Sequence, residues 1–147
     1  VPRFVRQALS AADITVYGDG EQSRCFCDVR DVVPAIMQLA AEPEAEGRVF
    51  NIGNQAEITI LDLARKVKEM TGSQSAIILV PYEQATEQGF EDMRRRVPDI
   101  SRVRELLGWE PRMALERSIT DIITHLEREG PGDPISERPV SERVVVG

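Results

Sequence analysis

The first hydrophobic period lies at the start of the chain. Phe4, Val5, Ala8 and Leu9 recur at three-to-four spacing until the polar break near Asp13, and Pro2 suits the first turn of a helix, where its missing N–H costs nothing. The spacing predicts a short helix. ITVY at 14–17 predicts a strand, GDG at 18–20 a turn, and RCFCDV at 24–29 a second extended segment. Asp31 is placed to cap a helix whose buried stripe is Val32, Ile36, Leu39 and Ala40, with Pro34 tolerated in its first turn. RVFNIG at 48–53 is β-rich and short. Thr59 with Asp62 three residues on is a capping-box-like start for a helix with Ile60, Leu63, Ala64, Val67 and Met70 on its apolar face and Gly72 at its end.

AIILV at 76–80 is a continuous apolar run closed by Pro81, the pattern of a buried strand. From Tyr82 to Pro98 the chain is polar and without a period, and long loops inside compact domains are often functional. Asp99 is placed to cap a short helix with Val103, Leu106 and Leu107 inward and Gly108 at its end, and a last helix runs from about Leu115 to Glu129. Beyond Gly130, PGDPISERPVSERVVVG has little to bury except its final valines, so residues 130–147 are expected to form a mobile tail behind a single domain over 1–129. The order of elements is mixed α/β, with too few strands for a full doubly wound sheet.

Composition narrows the function. At 41% hydrophobic and 29% charged, the chain reads as a soluble globular protein, and no stretch approaches the roughly 20 apolar residues of a membrane span. With 25 acidic against 18 basic side chains, the net charge of −7 repels a polyanion, so nucleic acid is a poor partner. No targeting signal is visible, and a start at Val1 inside a helix is expected of a chain cut from something longer. Cys25 and Cys27, one residue apart, lack the geometry of a framework disulfide, which favours a reducing, cytoplasmic setting. With the single His125 far along the chain, no metal site is expected.

No G-x-G-x-x-G fingerprint, P-loop or nucleophile elbow is present, so the chain holds no evident catalytic core. Two basic features stand out instead: Arg24 just after YGDGEQS, and the run Arg94, Arg95, Arg96 at the end of the long loop. A guanidinium presents a planar fork of donors to phosphate oxygens, and two converging arginines suit a diphosphate. The alternative is that Arg24 pairs with a carboxylate such as Asp28 and that the triple run is a solvated surface. Tyr17, Phe26 and Phe90 lie near these arginines in sequence, and flat rings can cover a base or a sugar face. Equally, Tyr17 and Phe26 can pack in a β-core, and Trp109 in LGWEP is expected to pack.

In order along the chain, PRFVRQAL, ITVYGDGEQSRCFCDVRDVV, RVFNIGN, TILDLARKV and RRRVPDISRVRELLGWEP together resemble the carboxy-terminal part of the extended short-chain dehydrogenase/reductase family, over roughly residues 1 to 127. That family includes UDP-glucose 4-epimerases, dTDP-glucose dehydratases and UDP-glucuronate decarboxylases. GFEDMRRRVPDIS looks most like bacterial nucleoside-diphosphate-sugar epimerases, and RCFCDVRD is also similar to the decarboxylase branch.

The resemblance implies the substrate-binding portion of a Rossmann-type α/β enzyme whose amino-terminal half is missing. That half would hold NAD and a Tyr-x-x-x-Lys pair, leaving no catalytic or cofactor-binding residue in this chain. Carried over position by position, the resemblance assigns Arg24 and Arg96 to the diphosphate, Thr15 and Tyr17 to the nucleotide, and Phe90 to the aromatic place before the second arginine. Relatives often carry Tyr there, so Phe90 lacks a hydroxyl. The two guanidiniums are expected to face a shared cleft bordered by Tyr17 and Phe90. RVFNIG is implied to lie on the Rossmann side, so that an isolated fragment exposes apolar surface. The implied partners are a nucleotide-diphosphate sugar, the missing Rossmann half and a second subunit of a homodimer. The implied reaction is epimerisation or dehydration of a UDP- or dTDP-sugar through a transient keto-sugar. The alternatives are decarboxylation of a UDP-glucuronate and a non-catalytic nucleotide-sugar-binding module.

Overall fold

The computed structural model describes residues 1–81 and 93–129. The expected tail and Phe90 lie outside the described residues. The chain is mixed α/β and divides into two compact units. One takes residues 1–22, 59–81, 93–94 and 119–129 of those described, and the other 23–58 and 95–118.

The first unit is built on α1 (Pro2–Leu9), β1 (Ile14–Tyr17), α3 (Ile60–Thr71) and β4 (Ile77–Val80). Pro2 opens α1 as its spacing implies, and Phe4, Val5 and Ala8 turn inward. They meet the α3 face of Leu63, Ala64 and Val67, with Ile14 and Val16 of β1 in the same core. Thr59 caps α3 through its hydroxyl, which accepts from Asp62 N at 3.0 Å, and Gly72 ends it in the left-handed region at φ 64°. β1 and β4 run parallel, from Ile14 beside Ile77 to Tyr17 beside Val80. The turn after β1 requires glycine at position 20. Its φ is +77°, and a Cβ there would stand 2.9 Å from Leu61 Cβ and 3.1 Å from Val16 Cγ1.

β4 departs from the sequence reading in its surroundings. It forms, but Ile78 and Leu79 are 41% and 50% exposed, so the apolar run is not a buried strand among the described residues. A continuous apolar run indicates a strand suited to cover on both faces.

The second unit holds β2 (Ser23–Cys25), α2 (Val29–Ala41), most of β3 (Glu57–Thr59), β5 (Arg95–Arg96) and α4 (Ser101–Leu107). Its strands lie in the order β3-β2-β5, with β2 and β5 parallel. The core joins Ala35, Ile100, Val103 and Trp109, with Cys27, Leu39, Phe50, Ile52 and Leu107 packed against it. Trp109 packs, as its sequence context implies. Asp99 receives Ser101 N at 2.9 Å at the start of α4, and Gly108 closes it at φ 63°. The last helix, α5 (Leu115–Glu129), runs from this unit into the first, where Ile119 is fully buried.

Three expectations are corrected here. First, the second extended segment stops at Cys25, and α2 is capped by Asp28 rather than Asp31, because Asp28 Oδ1 accepts from Arg30 N at 2.9 Å. Pro34 therefore sits inside the helix, and the i→i−4 bond it would donate is missing. Secondly, the buried face of α2 is that of Ala35, with Val32 and Leu39 half-buried. Ile36 is 52% exposed, Ala40 is exposed, and Val29, Val33 and Met37 share the outward side. The helix is turned this way by Asp31. Its carboxylate accepts from Arg112 N (3.0 Å) and Met113 N (2.8 Å), and its carbonyl accepts from Trp109 Nε1 (3.1 Å). Thirdly, RVFNIG forms no strand. It is tied by side chains to α4 and the segment before it, through Asn51 to Asp99 O and Arg102 to Val49 O, and Gly53 packs so closely that a Cβ would stand 2.9 Å from Pro98.

Asp28 accepts four hydrogen bonds. Arg30 donates from Nε (2.8 Å) and Nη2 (2.7 Å), and the Ser118 hydroxyl donates a short bond to Oδ2. These groups, the Arg30 side chain first and Ser118 next, hold the carboxyl well below the usual range. Folding thus favours the ionised form. Its contribution is fully present above the unfolded value of about 3.9 and is lost as pH falls through the lower folded value. Asp28→Ala is expected to cost about 1 to 2 kcal/mol in urea titrations near neutral pH, as for loss of a helix cap. Asp28→Asn is expected to flatten the acid side of the stability profile below about pH 4.

Candidate functional site

Arginine 24 follows the GDG turn on β2, and Arg96 ends the triple run on β5. The parallel pairing sets Ser23 beside Arg95 and Arg24 beside Arg96. Paired residues of neighbouring strands share a face and successive residues alternate, so Arg24 and Arg96 emerge on one face, with backbones about 5 Å apart. Arg95 and Ser23 emerge on the other.

What each face does follows from its partners. On the Ser23 face, Arg95 forks onto Glu57, with Nη2 to Oε1 at 2.7 Å and Nε to both oxygens at 3.0 Å, while Ser23 Oγ donates to Oε2 at 2.7 Å. Arg95 first, then Ser23, hold Glu57 below the usual carboxylate range. In the first unit, Arg94 Nη1 donates to Asp19 Oδ2 at 2.6 Å. Two of the three consecutive arginines are thus neutralised by carboxylates. Arg96, exposed, has no hydrogen-bond or ion-pair partner among the described residues. Half-buried Arg24 donates Nη1 to Ser23 O at 2.7 Å. The carboxylate suggested for it from sequence, Asp28, is taken by Arg30 and Ser118. For two guanidiniums emerging on one sheet face, a diphosphate is a ligand of matching charge with fork-matching oxygens.

The other sequence-derived residues belong to the first unit. Thr15 is engaged on every polar group: Gln7 Nε2 donates to its hydroxyl (2.9 Å), its N–H donates to Gln7 Oε1 (3.2 Å), and Arg3 Nη2 donates to its carbonyl (2.8 Å). The half-buried ring of Tyr17 lies 4.2 Å from the Arg3 guanidinium carbon. Hydrophobic spacing in PRFVRQAL marks only a packing helix and does not single out Arg3 or Gln7. The available signal was their spacing of four, which puts both on one helical face. Phe26 is half-buried just past β2. A shallow depression of about 450 Å³ beside the end of α3, lined by residues such as Arg65, Lys68 and Gln74, includes none of the residues singled out from sequence.

Cys25 and Cys27 are free thiols whose titration is pushed up, mainly by burial and then by nearby carboxylates. His125 is exposed on α5. No helix among the described residues is long and apolar enough to cross a membrane.

Residues 1–122 match the GDP-mannose 4,6 dehydratase family. Curated relatives include a UDP-N-acetyl-alpha-D-glucosaminuronate decarboxylase of Bacillus cytotoxicus, 37% identical over 84% of this chain and 38% of its own length. Another is UDP-glucuronic acid decarboxylase 4 of Arabidopsis thaliana, 39% identical over 90% of this chain and 28% of its own. Among solved structures, UDP-glucose 4-epimerase of Thermotoga maritima, held with UDP-glucose, is similar at a TM-score of 0.72 and 30% identity over 86% of this chain and 38% of that one. UDP-glucuronic acid 4-epimerase of Bacillus cereus, with UDP-glucuronic acid and NAD, shares the fold at a TM-score of 0.74 and 22% identity, over 87% of this chain and 39% of that one. The chain thus spans well under half the length of each of these relatives.

Proposed function

This chain belongs to the extended short-chain dehydrogenase/reductase family of nucleotide-sugar epimerases and dehydratases, and from that premise we propose that residues 1–129 form the part of such an enzyme that holds a UDP- or dTDP-sugar. The observation that carries this reading is the placement of Arg24 beside Arg96 on one sheet face, while Arg94 and Arg95 are paired with carboxylates. In this reading Arg24 and Arg96 grip the diphosphate, Thr15 and Tyr17 contact the nucleotide, and Phe90 occupies the aromatic place before Arg96. Energy from binding the remote nucleotide would fix the sugar ring for chemistry, so that the reacting carbon is held rather than found by diffusion.

NAD, when bound, supplies acceptance and return of a sugar hydride. The described residues do not fit it. The GDG turn, with Gly18 and Gly20 at positive φ, leads into β2 rather than into a helix whose N-terminus could cradle a pyrophosphate. The one helix with a side-chain cap in the same unit, α3, opens on the acidic Asp62. NAD and the proton-transferring pair are therefore assigned to an amino-terminal part corresponding to the remaining length of the relatives.

A second reading, decarboxylation of a UDP-sugar uronate through the same keto intermediate, is favoured by the decarboxylases at 37% and 39% identity. Calorimetric titration with UDP-, dTDP-, GDP- and CDP-sugars, uronates included, tests the binding role. A UDP- or dTDP-sugar is expected to bind most tightly, and indifference to all of them would contradict the proposal. The 147-residue chain incubated with NAD and UDP-glucose or UDP-glucuronate is expected to give no epimer and no carbon dioxide. Turnover by the purified chain would show that catalytic groups lie within it.

A further inference from the structure

The outer edge of β1 is closed in an unusual way. In its pairing with β4, Ile14 N donates to Ala76 O and Gly18 N to Val80 O, so the intervening Thr15 and Tyr17 turn their backbone groups away from β4. Among the described residues, side chains meet three of these groups. Gln7 and Arg3 satisfy the Thr15 N–H and carbonyl, and Gln22 Nε2 donates to Tyr17 O at 3.0 Å. That is enough to protect an edge.

Arg3 does more than protection requires. One of its donors serves the Thr15 carbonyl, and its guanidinium carbon lies 4.2 Å from the centroid of Tyr17 and 5.4 Å from that of Phe4. Ring contact and hydrogen bond together pin a long side chain that otherwise loses about 2 kcal/mol of rotamer entropy on being fixed. A lysine would satisfy the same carbonyl. Only a planar, weakly hydrated cation also gains from lying on the ring. Arg3 and Tyr17 are both half-buried, so part of this stack remains open to solvent.

We infer that Arg3 is a stacking surface for the nucleotide base: Tyr17 backs one face of the guanidinium, and the other receives the ring of the base. This rests on the nucleotide-sugar reading above and adds to it a residue that recognises the base and not the phosphates. The arrangement is preformed, because Arg3 is already held at both the ring and the Thr15 carbonyl, so no further side-chain ordering opposes binding.

The test compares UDP with inorganic pyrophosphate as calorimetric ligands for the 147-residue chain and its Arg3→Lys and Arg3→Met variants. Pyrophosphate carries the anion without the base. Arg3→Lys, which keeps the charge and a donor for Thr15 O, is expected to weaken UDP about tenfold, in the range of base stacking, with pyrophosphate affinity and unfolding midpoint unchanged. Arg3→Met is expected to weaken UDP at least as much. Equal affinity of wild type and Arg3→Lys for UDP would overturn the inference and leave the nucleotide-sugar reading standing. So would an equal loss for UDP and pyrophosphate, which would mark Arg3 as a charge only. Failure of the wild-type chain to bind UDP would overturn both.

Discussion

Replacing Trp109 by alanine is expected to lower the unfolding free energy by about 3 to 5 kcal/mol, the range for removing a large aromatic side chain from a core. Trp109 is 9% exposed and shares the second unit's core with Ala35, Ile100 and Val103, none of them more than 1% exposed. Close-packed neighbours collapse only in part into the space its indole leaves, so a cavity remains and adds to the lost transfer energy. The indole N–H also donates to Asp31 O, the residue whose carboxylate holds the loop at Arg112 and Met113. Trp109→Phe, which keeps most of the volume and loses that bond, is expected to cost about 1 to 2 kcal/mol. Because Trp109 is the sole tryptophan, urea unfolding of both variants is followed by far-ultraviolet circular dichroism. A loss below about 1 kcal/mol for the alanine variant would mean that the core closes over the gap. Against a total of about 5 to 15 kcal/mol for a domain, the expected loss leaves Trp109→Ala marginally folded.

The elements that could be read from the sequence are those whose signals are local. Thr59, Asp62 and Gly72 start and stop α3 within one turn of themselves, and Pro2 and the three-to-four spacing after it define α1. Facing is less local. Asp31 reads as a cap because it precedes an apolar stripe, yet its carboxylate is claimed by backbone N–H groups far along the chain, and that contact turns α2 so that Ala35 and not Ile36 faces inward. RVFNIG has strand composition but no neighbouring strand among the described residues, and AIILV has the composition of a doubly covered strand with Ile78 and Leu79 exposed. Composition records the surroundings a segment is suited to, which these described residues do not supply.

The site divides in the same way. Family-like spacing singled out Arg24 and Arg96, but their adjacency depends on the register of β2 against β5, which no local pattern states. Alternation along a strand does separate Arg95 from Arg96, and Glu57 and Asp19, found only in the fold, explain which arginines are neutralised. Arg3 and Gln7 were visible as a pair four apart on a helix, yet the strand edge they close lay beyond what periodicity reports.

The pair Arg24 and Arg96 carries the proposed diphosphate grip. A dianionic diphosphate leaving water needs matched positive charge, and truncating one partner of a desolvated charge pair costs about 2 to 4 kcal/mol, partly because the other charge is left uncompensated. Lysine at either position is expected to restore only part of this, since an ammonium lacks the bidentate fork. Arg94 and Arg95 are spent on exposed pairs with Asp19 and Glu57, so their loss should cost less than about 1 kcal/mol of binding. The decisive measurement is titration of UDP-glucose and UDP-glucuronate into the wild-type chain and the Arg24→Ala, Arg96→Ala, Arg94→Ala and Arg95→Ala variants at fixed salt. The predicted result is a loss of about 2 to 4 kcal/mol for the first two and less than about 1 kcal/mol for the last two. Equal losses across all four, or none at Arg24 and Arg96, would contradict the assignment and leave the family resemblance as support for the fold alone.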